Sequence, residues 1–281
     1  MSDPIVPTVT LDRGVTMPMI GFGTAHLTDE TAARAVEESF AAGYRKVDTA
    51  TAYTNETGVG QAIARSGLAR DEVFVTTKVW NNDQGRNAVR PALLASLDRL
   101  TLDHVDLYLL HWPAPALGLF IETYNVLEQL RDEGLTRAIG VSNFQPHHLR
   151  QLLPATTVTP AVNQIELHPY LQQRELRALH AELGIVTEAW SPLGQGSLLD
   201  DPVLRDIAQH RGLTPAQVVL TWHLRRGTAV IPRSQDPARM RANLATLEVG
   251  RLHDADLCAI DNLDRGHRLG PHPDEFDGRT P

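Results

Sequence analysis

Eight short apolar runs alternate with longer segments of helical period, and this alternation narrows the possible folds more than any other property of the chain. The runs are MIGFGT (19–24), YRKVDTA (44–50), VFVTTKVW (73–80), VDLYLL (105–110), AIGVSNF (138–144), AVNQIEL (161–167), IVTEAWS (185–191) and AVIPRS (229–234). Apolar faces of helical spacing follow each: through Ala33, Val36 and Phe40 to a stop at Gly43; Glu56 to Ile63; Val89 to Leu100; Tyr124 to Leu130, stopping at Gly134; Leu149 to Leu153; Leu176 to Leu183, stopping at Gly184; Val203 to Ile207 with Ala216 to Leu224; and Met240 to Leu244 with Leu257 to Leu263. Such units, about 30 residues long, join parallel strands through a crossover helix. Eight of them suffice to close the sheet. The expected fold is therefore α/β, a (β/α)8 TIM barrel, with an open doubly wound sheet as the alternative. Residues 6–17 predict a β-hairpin turning at Asp12-Arg13-Gly14, placed ahead of the barrel. The tail GHRLGPHPDEFDGRTP has no periodicity and reads as a frayed end or as a C-terminal loop over the barrel mouth. No linker divides the units, so residues 1–281 are expected to form one domain.

Composition limits the partners. A formal net charge of −8 argues against nucleic acid and anionic membranes. The one cysteine, Cys258, has no partner for an intrachain disulfide, and no zinc-type Cys/His spacing occurs. No secretory leader pattern and no apolar run near the ~20 residues of a membrane span are visible, so a cytoplasmic monomer is expected.

In a (β/α)8 barrel the chemistry lies at the carboxyl ends of the strands. The polar and aromatic residues there are Asp48 with Tyr53 beyond it, Lys78 and Trp80, His111 and Trp112, Ser142 and Asn143, Gln164, Trp190 and Ser191, and Arg233 with Ser234. Singly, each has an ordinary explanation: a cap, a solvated charge, rim packing, a satisfied core histidine. Together, an Asp, a Tyr, a Lys and a His at one end of three consecutive strands point to proton chemistry. Other chemistries lack their residues: no GxG continues to a dinucleotide fingerprint, no GxxxxGK[ST] or HExxH occurs, and GVSNF lacks the final glycine of GxSxG.

The motifs GFGT at 21, VDTATAY at 47, TTKVW at 76, LLHWP at 109, GVSNF at 140, NQIELHP at 163, WSPLGQG at 190 and IPRS at 231 follow one another in the order and spacing of the aldo-keto reductases. The chain resembles that family over essentially its whole length. HWPAPALGLF, PAVNQIELHP, TPAQVVLTWHL, the tail HPDEFD and tryptophan at 190 are most similar to bacterial 2,5-diketo-D-gluconate reductases. The resemblance implies reduction of a small carbonyl substrate by NADPH, bound in extended form without a Rossmann domain. It implies a catalytic tetrad of Asp48, Tyr53, Lys78 and His111. Tyr53 would be the acid, Lys78 would lower its pKa, Asp48 would hold Lys78, and His111 would orient the carbonyl oxygen.

The same resemblance assigns cofactor binding to Gly23, Thr24, Ser142, Asn143, Gln164, Trp190, Ser191, Leu193, Gly194, Arg233, Ser234, Arg239 and Asn243. Ser142, Asn143 and Gln164 would hold the nicotinamide carboxamide, and Trp190 would stack. Arg233, Ser234 and Arg239 would meet the ribose phosphate near a helix N-terminus, with Asn243 at the adenine edge. Phe22, Trp80, His111, Trp112 and the 267–276 tail would wall the substrate pocket. The sequence departs from the family pattern at Arg233, usually lysine, and at Ala242, usually glutamate. Two other readings are a nucleotide-sensing module with little turnover and a metal-dependent barrel hydrolase. The first is opposed by the complete tetrad. The second is opposed by the lack of an HxH at a strand end.

Overall fold

In a computed structural model, which describes residues 6–248 and 252–278, all eight runs pair as parallel strands. A hairpin of β1 (Thr8–Thr10) and β2 (Thr16–Pro18) comes first, turning at Asp12–Gly14. The barrel strands are β3 (Phe22–Gly23), β4 (Lys46–Asp48), β5 (Phe74–Val79), β6 (Val105–Leu110), β7 (Thr136–Ser142), β8 (Val162–Glu166), β9 (Val186–Trp190) and β10 (Ala229–Val230). They lie side by side in chain order. The sheet closes where Ile20 pairs in parallel with Val230, with Gly21 N donating to Val230 O at 2.8 Å and Val230 N to Met19 O at 2.8 Å. A closed sheet has no free edge, which excludes the open alternative. β10 is short because Pro232 has no N–H to give to a ladder.

The helices are α1 (Asp29–Ala42), α2 (Glu56–Arg65), α3 (Val89–Leu100), α4 (Phe120–Asp132), α5 (Pro146–Leu152), α6 (Arg174–Leu183), α7 (Pro202–Arg211), α8 (Pro215–Arg225), α9 (Pro237–Leu244) and α10 (Asp254–Asp261). Local chemistry sets their ends. Thr28 caps α1 through the Thr31 amide, and α1 stops at Gly43 with φ 107°, a left-handed conformation that costs glycine little. None of the helices among the described residues is long and apolar enough to cross a membrane.

The core has two parts. Outward-facing strand residues such as Val47, Val75, Tyr108, Ile139 and Ile165 pack against the helices through Val36, Val59, Leu93, Leu127 and Leu149. Toward the amino ends of the strands, Leu11, Val15 and Met17 of the hairpin segment join Phe74, Val162 and Ala229, with Leu107 and Leu109 farther along β6 in the same cluster. One site expectation fails here. Phe22, expected to wall the substrate pocket, belongs to the outer core: it is 1% exposed and meets the Tyr44 ring edge-on at 6.0 Å. Alternation along the strand explains this, since Phe22 points outward while the flanking glycines lie on the other side. A Cβ on Gly21 would lie 2.8 Å from Lys46 Cγ.

Candidate active site

Asp48 ends β4, and the chain then makes a short 3-10 turn, Thr51–Tyr53, that brings Tyr53 back over the strand ends. Buried Asn55 fixes that turn to the loop after β3: its amide donates to Thr24 O at 2.8 Å and Leu27 O at 2.9 Å, and its oxygen accepts from the Thr49 hydroxyl at 2.8 Å. Lys78 on β5 donates to Asp48 Oδ1 at 2.5 Å and to Thr49 O at 2.9 Å. Its ammonium lies 5.0 Å from the centre of the Tyr53 ring. His111, the residue after β6, meets the Tyr53 ring edge-on at 5.7 Å. The four residues expected to form a tetrad are thus assembled in one place.

Their electrostatics follow from burial. Burial works against the Lys78 ammonium, yet Asp48 and Tyr53 together hold its pKa above the ordinary lysine value. Burial raises the Asp48 carboxyl while Lys78 pulls it back. The Tyr53 hydroxyl is also raised by burial, with Lys78 lowering it only in part. The expected influence of Lys78 has the right sign, but the net direction is upward, so Tyr53 rests in its protonated, proton-donating form. His111 is driven well below the usual histidine value, by burial and then by Lys78, and is a neutral imidazole. Its Nδ1 has no hydrogen-bond partner among the described residues.

The floor of the mouth is polar. Gln164 Nε2 donates to Asp48 Oδ2 at 2.7 Å and to Glu188 Oε2 at 2.7 Å, and Glu188 pairs with Lys46. Sequence reasoning passed over Glu188 and Lys46. The available signal was parity: 46 and 48 share a face of β4, as 188 and 190 share a face of β9. Ser142 donates to Gln164 O at 2.8 Å. Asn143, with φ 65°, donates to His111 O at 3.0 Å and accepts from the Trp190 indole at 2.8 Å. Ser142, Asn143, Gln164 and Trp190 therefore lie together beside the tetrad.

Ser191 and Gly194 take left-handed backbone in the loop after β9, which also carries Leu193. Gly23 leaves no room for a Cβ against Ile231 O, and Thr24 donates its amide and hydroxyl to Asp48 O at 3.0 and 2.9 Å. Arg233 reaches back to Ala25 O at 2.6 Å. Arg239 is 79% exposed and pairs with Asp236. The N-terminus of α9 is capped from within the chain: the Asp236 carboxylate accepts from the Ala238 and Arg239 amides. Ser234 instead exchanges hydrogen bonds with the Asp236 backbone. Asn243 lies buried on α9, where the Tyr44 hydroxyl donates to Met240 O at 3.3 Å.

On the other side of His111 stand Trp80, edge-on at 5.1 Å, and Trp112, stacked at 6.4 Å. The tail covers them: Phe276 lies 4.5 Å from the Trp112 ring and 6.1 Å from the Trp80 ring. Buried Glu166 anchors the tail by accepting from the Leu269 and Gly270 amides at 2.6 and 2.9 Å. Asp274 faces His147 at 3.3 Å and His148 at 3.6 Å. His148 Nδ1 accepts from the Gln145 amide, so its proton sits on Nε2, which faces Asp274 as a donor rather than as a metal ligand.

Comparison with known proteins agrees with this geometry. The family model described as Aldo/keto reductase family matches residues 19–265. An aldo-keto reductase of Mycolicibacterium smegmatis is 50% identical over 270 residues, covering 96% of this chain and 98% of its own. Methylglyoxal reductase DkgA of Escherichia coli K12 is 47% identical over 280 residues, covering 99% and 100%. The crystal structure of a Gox0644 aspartate-to-alanine mutant in complex with NADPH superposes with a TM-score of 0.92 at 42% identity, covering 96% of this chain and 98% of that one. With eight strand–helix units closed around a buried Asp–Lys pair, a tyrosine and a neutral histidine, and with relatives this similar over their full length, the chain belongs to the aldo-keto reductase family.

Proposed function

We propose that the protein reduces small carbonyl compounds to alcohols with NADPH, and that its substrates are aldehydes, α-dicarbonyls or keto sugars of the 2,5-diketo-D-gluconate type. The carrying observation is the placement of Lys78 between Asp48 and the Tyr53 ring, with neutral His111 beside them. NADPH, when bound, supplies the hydride. Tyr53 gives its hydroxyl proton to the carbonyl oxygen as negative charge develops there. Lys78 stabilises the phenolate left behind, and Asp48 keeps Lys78 charged and in place. A neutral imidazole has one N–H, with which His111 holds the substrate oxygen without competing as the acid.

The residues fit such a cofactor. Gln164 Oε1 has no partner among the described residues, which leaves an acceptor for a carboxamide amine. Ser142, Asn143 and Trp190 would hold the nicotinamide beside it, the backbone at Gly23, Thr24, Ser191, Leu193 and Gly194 would line the cofactor path, and Arg233, Ser234 and Arg239 would offer cations and a hydroxyl to the ribose phosphate. Trp80, Trp112 and Phe276 would form an apolar wall suited to short, partly apolar carbonyls. The names of the Escherichia coli relative and of the NADPH complex support the same substrate class and cofactor. Leu94 is the one well-exposed large apolar side chain among the described residues, in keeping with a single-domain monomer. The exposed thiol of Cys258 suits a cytoplasmic setting. The test is single-turnover oxidation of bound NADPH on addition of methylglyoxal or 2,5-diketo-D-gluconate. Absorbance loss matched by alcohol formation is expected; bound NADPH that persists with every carbonyl offered would mean a nucleotide-sensing module instead.

A further inference from the structure

We infer that Glu188 is a positioning residue: with Asp48 it fixes the Gln164 side-chain amide so that only the amide oxygen is left to meet the cofactor carboxamide, while Lys46 balances its charge. The inference rests on the reading of the site as an NADPH-dependent reductase.

Glu188 and Gln164 are register partners on adjacent strands, and both are buried. An amide nitrogen carries two hydrogens. On Gln164 both are committed, one to Asp48 Oδ2 and one to Glu188 Oε2, each at 2.7 Å. Turning the amide over would set its carbonyl oxygen against two carboxylate oxygens, replacing two charge-assisted bonds by two repulsions. The orientation is therefore locked by charge as well as by packing. With Asp48 alone, one hydrogen would be free, and the amide could rotate or hold a competing acceptor.

A second buried carboxylate so close to Asp48 needs an answer of its own. Glu188 raises the Asp48 carboxyl and favours the Lys78 ammonium. Lys46, fully buried, pairs with Glu188 and also lies 3.5 Å from Pro18 O and 5.7 Å from the centre of the Phe74 ring. Gly21 leaves the space its stem occupies. The interior thus holds two ion pairs, Lys46–Glu188 and Asp48–Lys78, joined by one amide nitrogen, with their charges summing to zero. Breaking either pair leaves an uncompensated buried charge.

The test compares NADPH with its 3-acetylpyridine analogue, which lacks the amine that Gln164 Oε1 would bind. Dissociation constants are measured by tryptophan quenching on the wild type, on Glu188→Met, which offers no oxygen acceptor, and on Lys46→Met/Glu188→Met, where charge balance is restored. The wild type should prefer the carboxamide form by roughly tenfold, about one good hydrogen bond. The double variant should lose most of that preference while melting cooperatively. A folded double variant that keeps the full preference overturns the inference. If the wild type binds neither nucleotide, it is the reductase reading that fails. Should neither variant fold, deuterium exchange of the Gln164 side-chain amide in 15N-labelled wild type decides: both protons must exchange far more slowly than those of free glutamine, and equal rates overturn the lock.

Discussion

Lys78 Nζ lies 2.5 Å from Asp48 Oδ1 and 5.0 Å from the centre of the Tyr53 ring, so one buried cation serves a carboxylate and a phenol at once. The two duties separate under mutation. Tyr53→Phe removes only the hydroxyl: melting temperature and NADPH affinity should hold, and turnover should fall by about 10² or more. Lys78→Met should lose activity as severely but also stability, on the order of 3–5 kcal/mol, because Asp48 is left buried without its partner. Urea unfolding beside turnover distinguishes them, and near-normal turnover in Tyr53→Phe removes that residue from the acid role.

His111 has an Nδ1 unpartnered among the described residues, so its imidazole does little for the fold through hydrogen bonds. We expect His111→Asn to depress reduction with little change in melting temperature. A large drop in melting temperature with normal turnover in the folded fraction would assign His111 to packing alone.

Two other histidines set the response to acid. His180 and His223 are buried, and burial depresses both to about 3. Their folded values lie below the ordinary ~6.5, so the unfolded chain takes up the extra protons as pH falls, and stability is lost below about pH 6.5. At pH 5 each should cost about 2 kcal/mol relative to pH 8. His180 is held by Asn163 and Thr187. Unfolding curves for wild type and His180→Gln should show a shallower acid slope in the variant; parallel slopes would count against the assignment.

We expect cofactor choice to be set at the surface. Arg233 is anchored on Ala25 O, whereas Arg239 is solvent-exposed beside Asp236. NADPH should bind at least ~10-fold more tightly than NADH, equivalent to about 1.4 kcal/mol. Arg239→Ala should weaken NADPH far more than NADH, and salt should narrow the gap because the group is screened. Equal affinities in the wild type would sink this assignment.

Gly270 seats the tail against Trp190 and Glu166. A Cβ there would come within 2.5 Å of Trp190 Cη2 and 3.2 Å of Glu166 Oε2. Gly270→Ala should displace the indole, visible as altered tryptophan fluorescence, and weaken NADPH by roughly tenfold, near 1.4 kcal/mol. Unchanged fluorescence and affinity would show that the tail yields instead of Trp190.

The barrel was legible because each unit announces itself locally: a β-rich run, a helical period, often a terminal glycine such as Gly43 or Gly184. The grouping of Asp48, Tyr53, Lys78 and His111 was legible because these residues lie at, or just beyond, the carboxyl ends of three consecutive strands. What escaped depends on pairing across the barrel. Lys46 and Glu188 are 142 positions apart and look like ordinary polar breaks in their runs. Phe22 was misplaced because its neighbourhood in GFGT suggested the mouth, while strand parity turns it outward. Asp236 was not singled out in the sequence, because its cap shows only in its bonds to the α9 amides. The seat of the tail, Phe276 on Trp112 and Gly270 on Trp190, consists of long-range contacts that leave no periodic trace.

The hairpin has a consequence for traffic. Leu11, Val15 and Met17 seal the end of the barrel away from Tyr53, and Met17 is fully buried. Among the described residues, that end of the interior is closed by their packing. With Tyr53 as the proposed acid, the proton that recharges it would enter by the opening through which the alcohol leaves, so a lingering product would delay the reloading of the acid as well as the arrival of the next carbonyl.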